Sequence, residues 1–300
     1  MSQTVTTFDA RRRVTSSSIR RRNHRRSWLR QRSTPELTIG LILLIVIVVT
    51  TLLAPVIAGH EPNRSFPGMS LLPPQSDFWL GTDAVGRDVM ARVLYGGRVS
   101  LRVAIPSVAL ALALGVVLGL PAGYFGGRAD QVIMRILDIF FAFPAILLAI
   151  VLVSILGPSI RNLIFTIGII YMPRMARIVR APTIAIKERD FVEAARAMGG
   201  SDLRIISRHV LPNAMSPVIV ETSLALGQVI ITETALSFLG LGSPPPDPTW
   251  GAMLSESRQF MSFAPWGAVG PGIAIALTVA AFLMIGHGLR TALDPRHHRG

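Results

Sequence analysis

The sequence predicts an all-α, polytopic membrane protein with six transmembrane helices and a cytoplasmic helix–turn–helix. Half of its 300 residues are hydrophobic and 16% are charged, against about 25% charged residues in soluble domains. Charge-free runs such as Leu37 to Gly59 exceed the length of about 20 residues that a helix needs to cross the hydrocarbon. This composition excludes a soluble nucleic-acid binder and excludes disorder over most of the chain.

The first predicted span is residues 37–59, which are too many for the apolar core of a signal peptide, about 7–15 residues. Residues 1–36 form a predicted cytoplasmic tail, in which ten arginines lie between Arg11 and Arg32. We interpret this tail as a contact with anionic lipid. Nucleic-acid binding by the tail is less favoured, because Trp28 is the one aromatic residue among the arginines.

Residues 60–98 form a predicted external segment that is rich in proline at first and helical later. Asp88 and Arg92 stand four residues apart and are predicted to pair on that helix. The segment is either a structural collar or a contact surface for a substrate-delivery protein. In the second predicted span, Val103 to Phe125, small residues recur every four positions and predict a close helix approach: Gly115, Gly119 and Gly123.

Residues 99–290 form a predicted core of five spans, followed by a cytoplasmic C-terminal tail, 291–300. The third predicted span is Ile139–Ile160, which is broken near its outer end at Gly157-Pro158. The fourth runs from about Pro158 to Arg177, and the fifth from about Met215 to Phe238. The sixth lies in the charge-free run Gln259–Leu289 and begins near Gly267. With six spans, 23 basic residues fall on the side of the termini and seven on the other side. This asymmetry predicts that both termini face the cytoplasm of a bacterial cell, whose plasma (inner) membrane the chain would cross repeatedly.

The segment between spans four and five, residues 181–213, predicts two short amphipathic helices. Phe191, Ala194, Ala195 and Met198 share one face, and Gly199-Gly200 ends the helix. A second helix follows Ser201, with Leu203, Ile206 and Val210 on one face, before Pro212 and Asn213 mark the entry to span five. The pattern leaves two interpretations open: the segment docks in a shallow groove of another protein, or it packs on its own membrane domain.

Glu193-Ala194-Ala195, Gly199 and Leu211-Pro212 resemble the EAA loop of importer permeases of the ATP-binding-cassette class. His209 stands where the family pattern has isoleucine. Permeases of the dipeptide/oligopeptide/nickel subgroup often carry histidine at this place. Further stretches resemble the smaller, C-type permeases of that subgroup, so that the resemblance runs from about Leu37 to Pro295: Leu80–Asp88, Gly123–Gly127, Leu236–Gly242 and Leu293-Asp294-Pro295. The arginine-rich tail is not part of it.

The resemblance implies a permease that pairs with a second permease, docks on two ATPase subunits and receives substrate from an external binding protein. The implied cargo is a di- or oligopeptide, with nickel chelates, glutathione and short sugars as alternatives. The implied contacts with the ATPases come from the EAA loop: Glu193, Ala194, Ala195, Gly199, His209, Leu211 and Pro212.

No catalytic or metal-ligating constellation is found in the sequence, and the chain is predicted not to be an enzyme. A phosphate-binding loop needs a lysine followed by Ser or Thr, whereas the sole lysine, Lys187, precedes Glu188. We therefore expect no cofactor on this chain, with ATP and Mg²⁺ held by partner ATPases.

The fifth span carries the candidate pathway residues Glu221, Gln228 and Glu233. Carboxylates inside a span are expensive and should face a cavity or a partner. The alternative function is a self-sufficient secondary transporter that uses Glu221 and Glu233 as proton carriers.

Overall fold

The computed structural model describes residues 34–293, most of which are helical. In chain order the helices are α1 Pro35–Leu52, α2 Ala54–Ile57, α3 Val89–Phe125, α4 Gly127–Phe141, α5 Ala145–Leu156, α6 Ile160–Lys187, α7 Asp190–Ala197, α8 Asp202–Ile205, α9 Leu211–Phe238, α10 Trp250–Ser257 and α11 Trp266–Leu293. Nearly all of the predicted arginine-rich tail lies outside the described residues, as do residues 294–300 of the predicted C-terminal tail.

Within residues 34–293, five helices are long and apolar enough to cross a membrane: α1, α3, α6, α11 and the continuous helix Asp202–Phe238, of which α9 is the longest part. A sixth crossing results if α4 and α5 are counted together as one bent span. The prediction of an all-helical polytopic protein is confirmed.

The third span differs from the prediction. Helix α5 has 12 residues, about 18 Å of helix, against a hydrocarbon layer roughly 30 Å thick. It ends at Gly157 (φ 84°), as the sequence indicates, but a second break separates it from α4, and the two axes differ by 85°. This break precedes Pro144, which has no N–H to continue a helix.

Helix α3 begins ten residues before the predicted core, so residues 89–98 of the predicted external segment are continuous with the second span. The Asp88 carboxylate caps this helix by accepting hydrogen bonds from the N–H groups of Met90 (2.9 Å) and Ala91 (3.4 Å). The predicted Asp88–Arg92 pair is therefore wrong. Arg92 instead donates to Glu256 of α10 at 3.0 Å.

The glycines of the second span bring α3 close to α6, as the sequence predicts. A Cβ atom added at Gly115 would lie 2.5 Å from the Cβ of Met175, and one at Gly119 would lie 2.4 Å from the carbonyl oxygen of Ala176. At Gly123 it would meet Thr183 at 2.8 Å. Any larger residue would push these two central helices apart.

We expect Gly119→Ala to lower the free energy of unfolding by about 1–3 kcal/mol, the usual result of overpacking. Gly272→Ala in α11 is the control, because no atom lies within 4 Å of its added Cβ. Thermal unfolding of the two variants in mild detergent measures the difference. Equal midpoints for both variants would contradict the close packing of α3 on α6.

Candidate coupling and pathway sites

The segment predicted as a helix–turn–helix contains α7 and α8, joined by a turn at Gly199 (φ 79°). The second predicted helix of this segment begins with α8 and does not end before Pro212. It continues through a π-helical turn, Ile206–Val210, directly into the fifth span, α9. Pro212 is the second residue of α9. The first turn of an α-helix tolerates proline, because the N–H that proline lacks has no partner within that helix. The preceding π-helical turn already changes the hydrogen-bond pattern at this point. Movement of α8 is thereby tied to α9.

The two sides of this segment have different surroundings. Val192 and Ala195 are buried against Ile205 and Val210, and against side chains of α3 and α6. Ala195 therefore belongs to the inward side and not to the face on which the sequence placed it. An apolar surface remains exposed in the chain, with Met198 at 83% and Leu203 at 78% exposure. We call it the docking face: Phe191, Ala194, Met198 and Leu203.

The other predicted contacts lie along the same segment. Glu193 is exposed in the first turn of α7, where a carboxylate is favoured by the helix dipole. His209 and Leu211 are half-buried at the junction with α9, and Pro212 is exposed. Their contact with an ATPase stays a prediction.

Tyr124, in the last turn of α3, connects the second span to both short helices. Its hydroxyl donates to Oδ1 of Asp202 at 2.7 Å and accepts from the guanidinium of Arg196 at 3.4 Å. Sequence reasoning noted Tyr124 only within a resemblance and assigned it no role. Nothing in the spacing indicated that a residue 78 positions away would be its partner.

We expect Tyr124→Phe to accelerate amide hydrogen exchange in residues 190–205 about tenfold. Hydrogen bonds to charged groups contribute roughly 1.5–3 kcal/mol, and about 1.4 kcal/mol is a factor of ten. Tyr95→Phe, nearer the other end of α3, is the matched control and should leave this exchange unchanged. If the two variants exchange alike, the hydroxyl of Tyr124 does not hold the segment.

Polar side chains of α6 and α9 meet along the middle of the two spans. The guanidinium of Arg174 donates to the Gln228 side-chain oxygen and, at 3.4 Å, to Oε2 of Glu221. One turn away on α6, the hydroxyls of Tyr171 and Thr232 lie 2.9 Å apart. We call this row the polar seam: Tyr171, Arg174, Glu221, Gln228 and Thr232. The structure thus brings together two of the three predicted pathway residues, Glu221 and Gln228.

Glu233 does not join the polar seam. It lies about 120° from Glu221 around α9, at about 100° per residue, and its side chain is fully buried inside the chain. The hydroxyl of Ser237 donates to its Oε1 at 2.7 Å. This placement gives Glu233 no exposed surface toward a pathway in the described chain.

The opposite end of the bundle carries a cluster of charges. Arg87 donates to Asp83 (2.6 Å) and to Glu256 (2.7 Å), and Arg92 lies between the same two carboxylates. The cluster fastens residues 60–88 to α10. The collar role that the sequence allowed for this segment matches these contacts, while contact with a delivery protein stays a prediction.

Comparison with known proteins matches residues 115–299 to the family described as "binding-protein-dependent transport system inner membrane component". Residues 25–74 match the N-terminal transmembrane domain of oligopeptide transport permease C. The two matches together cover both the central spans and the first helix.

Individual relatives agree with these families. The chain is 45% identical over 258 residues to the dipeptide transport system permease protein DppC of Alkalihalophilus pseudofirmus, covering 86% of this chain and 85% of that protein. It is 49% identical over 223 residues to the glutathione transport system permease protein GsiD of Pectobacterium atrosepticum, covering 74% of each. Among solved structures, the inward-facing MetNI methionine ABC transporter matches with a TM-score of 0.57 at 17% identity, over 69% of this chain and 98% of that one. That likeness is one of fold.

Proposed function

The chain belongs to the family of binding-protein-dependent transport system inner membrane components, and we propose that it forms half of the translocation pathway of an ATP-driven peptide importer. Its family membership makes it a multi-pass permease subunit of an importer. A second permease would supply the other half, two ATPase subunits would supply the energy, and an external binding protein would deliver the substrate.

The exposed docking face carries this proposal. Residues such as Met198 and Leu203 are large and apolar, yet no part of the described chain covers them. An amphipathic helix with an exposed apolar side fits a groove on a partner. The opposite side packs on α3 and α6, so a force applied to the docking face would reach the spans through Val192, Ala195 and Tyr124.

A small docking helix suits an ATPase partner that moves when it binds ATP. A short turn joins α7 to α8, and α8 continues without interruption through the π-helical turn into α9. Closure of two ATPases would carry both permeases' docking helices inward and rock the spans between inward- and outward-facing states. ATP and Mg²⁺ would reside entirely on those partners. In this proposal the docking face and both termini would lie in the cytoplasm, as the arginine asymmetry predicts.

The polar seam is the part of the surface that we assign to the pathway. Gln228 is exposed and Arg174 is 40% exposed on the side chain, midway along a span. Polar groups at this depth avoid lipid and face a water-filled cavity or a partner. The peptide class of cargo rests on relatives named for dipeptide and for glutathione, itself a small peptide.

The test is affinity purification of the chain from native membranes in mild detergent, with mass spectrometry of the proteins that accompany it. We expect a second permease and ATPase subunits, and uptake of a labelled dipeptide in cells that carry the genes for all of them. A complete complex that imports another solute and no peptide would contradict the proposed cargo. A chain that purifies alone would contradict the proposed assembly.

A further inference from the structure

The polar seam contains a cation that is poorly neutralised. Arg174 lies midway along α6, and the closest carboxylate oxygen among the described residues, Oε2 of Glu221, is 3.4 Å away. Arg290 of α11 reaches the other oxygen of the same carboxylate at 3.7 Å. Two guanidinium groups therefore share one carboxylate, and the cluster carries a net positive charge.

The geometry leaves Arg174 able to bind another anion. A guanidinium offers five N–H donors in a planar fork. In the structure, the N–H groups of Arg174 donate to the Gln228 amide oxygen and, through one long contact, to Glu221. A well-formed arginine–carboxylate pair has two parallel bonds of about 2.7–2.9 Å. The pairing with Glu221 consists of one contact of 3.4 Å. Replacing Glu221 by a better-placed carboxylate therefore costs little interaction energy.

We propose that Arg174 is the group of the pathway that binds the C-terminal carboxylate of a passing peptide, in exchange for Glu221. This inference rests on the proposed peptide cargo, because every unmodified linear peptide carries that carboxylate. Glu221 holds the guanidinium in place while the pathway is empty, and Gln228 fixes its direction. Binding at such a site has to be weak enough for the peptide to leave, and a competing internal carboxylate ensures this.

The absence of cysteine from the sequence gives a direct test. In the complete complex, Arg174→Cys should reduce peptide uptake about tenfold or more, as expected for the loss of a charge-assisted hydrogen bond. A thiol reagent that adds an ammonium group (aminoethyl methanethiosulfonate) should restore part of the uptake. The anionic sulfonatoethyl reagent should not restore it. The unsubstituted complex, treated identically, controls for cysteines on partner chains.

Arg177→Cys is the matched control, one turn further along α6. Arg177 pairs with Asp138 of α4 and stacks on Phe141, away from the polar seam. Uptake by this variant should not depend on the charge of the reagent. A dipeptide should also slow thiol labelling of the Arg174→Cys variant, while the same dipeptide with an amidated C-terminus should not. Labelling of the Arg177→Cys variant should respond to neither.

Equal rescue by cationic and anionic reagents, or equal protection by the dipeptide and its amide, would overturn the proposal. If Arg174→Cys does not assemble, Gln228→Cys provides the same labelling test beside an intact guanidinium, with the same two outcomes. A complex whose unsubstituted form takes up no peptide would contradict the proposed cargo instead. The two failures are thus distinguishable.

Discussion

Ala194→Asp should abolish the association of the ATPase subunits while the second permease stays bound. Ala194 lies on the docking face, exposed in the chain, and its small size allows close approach to a groove. A carboxylate placed there would be buried against the partner without a counter-charge, which typically costs several kcal/mol. An interface as small as one helix face does not tolerate such a loss. The ratio of ATPase to permease after affinity purification measures the effect.

Ala129→Asp provides the matched control, since Ala129 is also an exposed alanine in a short helix, the first turn of α4, outside the docking face. An aspartate is favoured in a first turn, so this helix should stay intact. Full retention of the ATPases by Ala129→Asp and their loss from Ala194→Asp would assign the interface. Retention by both variants would show that the docking face is not the contact.

Arg92→Met should lower the free energy of unfolding by about 2–3 kcal/mol and release residues 60–88 to proteolysis. The Arg92 side chain is 2% exposed and lies between Asp83 and Glu256. Breaking a fully buried ion pair typically costs about 3–5 kcal/mol. We expect less here, because the Glu256 side chain is 44% exposed and Arg87 continues to pair with both carboxylates.

Arg98→Met tests whether the effect belongs to the charge cluster and not to any arginine of this region. Arg98 is on the same helix, but it is exposed and stacks at 5.7 Å from the ring of Tyr95. Its replacement should change stability by no more than about 0.5 kcal/mol. Equal protease sensitivity of residues 60–88 in the two variants would contradict the fastening role of Arg92.

The sequence predicts those features of the fold that depend on the spacing of residue types along the chain. Runs without charge reveal the long spans, because the hydrocarbon excludes charge over a fixed thickness. The spacing of Gly115, Gly119 and Gly123 correctly predicts a close approach, although it cannot name α6 as the partner helix. Length and hydropathy did not reveal the break before Pro144, because that proline lies within an otherwise continuous apolar run.

Contacts between distant parts of the chain were beyond the sequence. Asp88 and Arg92 have the spacing of an ion pair, but Asp88 caps its helix and Arg92 pairs with Glu256, 164 residues away. Helical periodicity grouped Ala195 with the exposed side of α7, because it shows which residues share a face and not what that face meets. No spacing in the sequence indicates that Arg174 lies beside Glu221 and Gln228, which follow it by 47 and 54 residues.

Peptide uptake into proteoliposomes, with this chain either alone or in its purified complex, tests most directly whether the transport is driven by ATP. We expect accumulation only with the complete complex, loaded binding protein outside and ATP available to the ATPases. An imposed proton gradient should drive no peptide uptake through the chain alone. Accumulation by the chain alone on a proton gradient, without ATP, would contradict an ATP-driven importer and would identify a self-sufficient transporter using its intramembrane carboxylates.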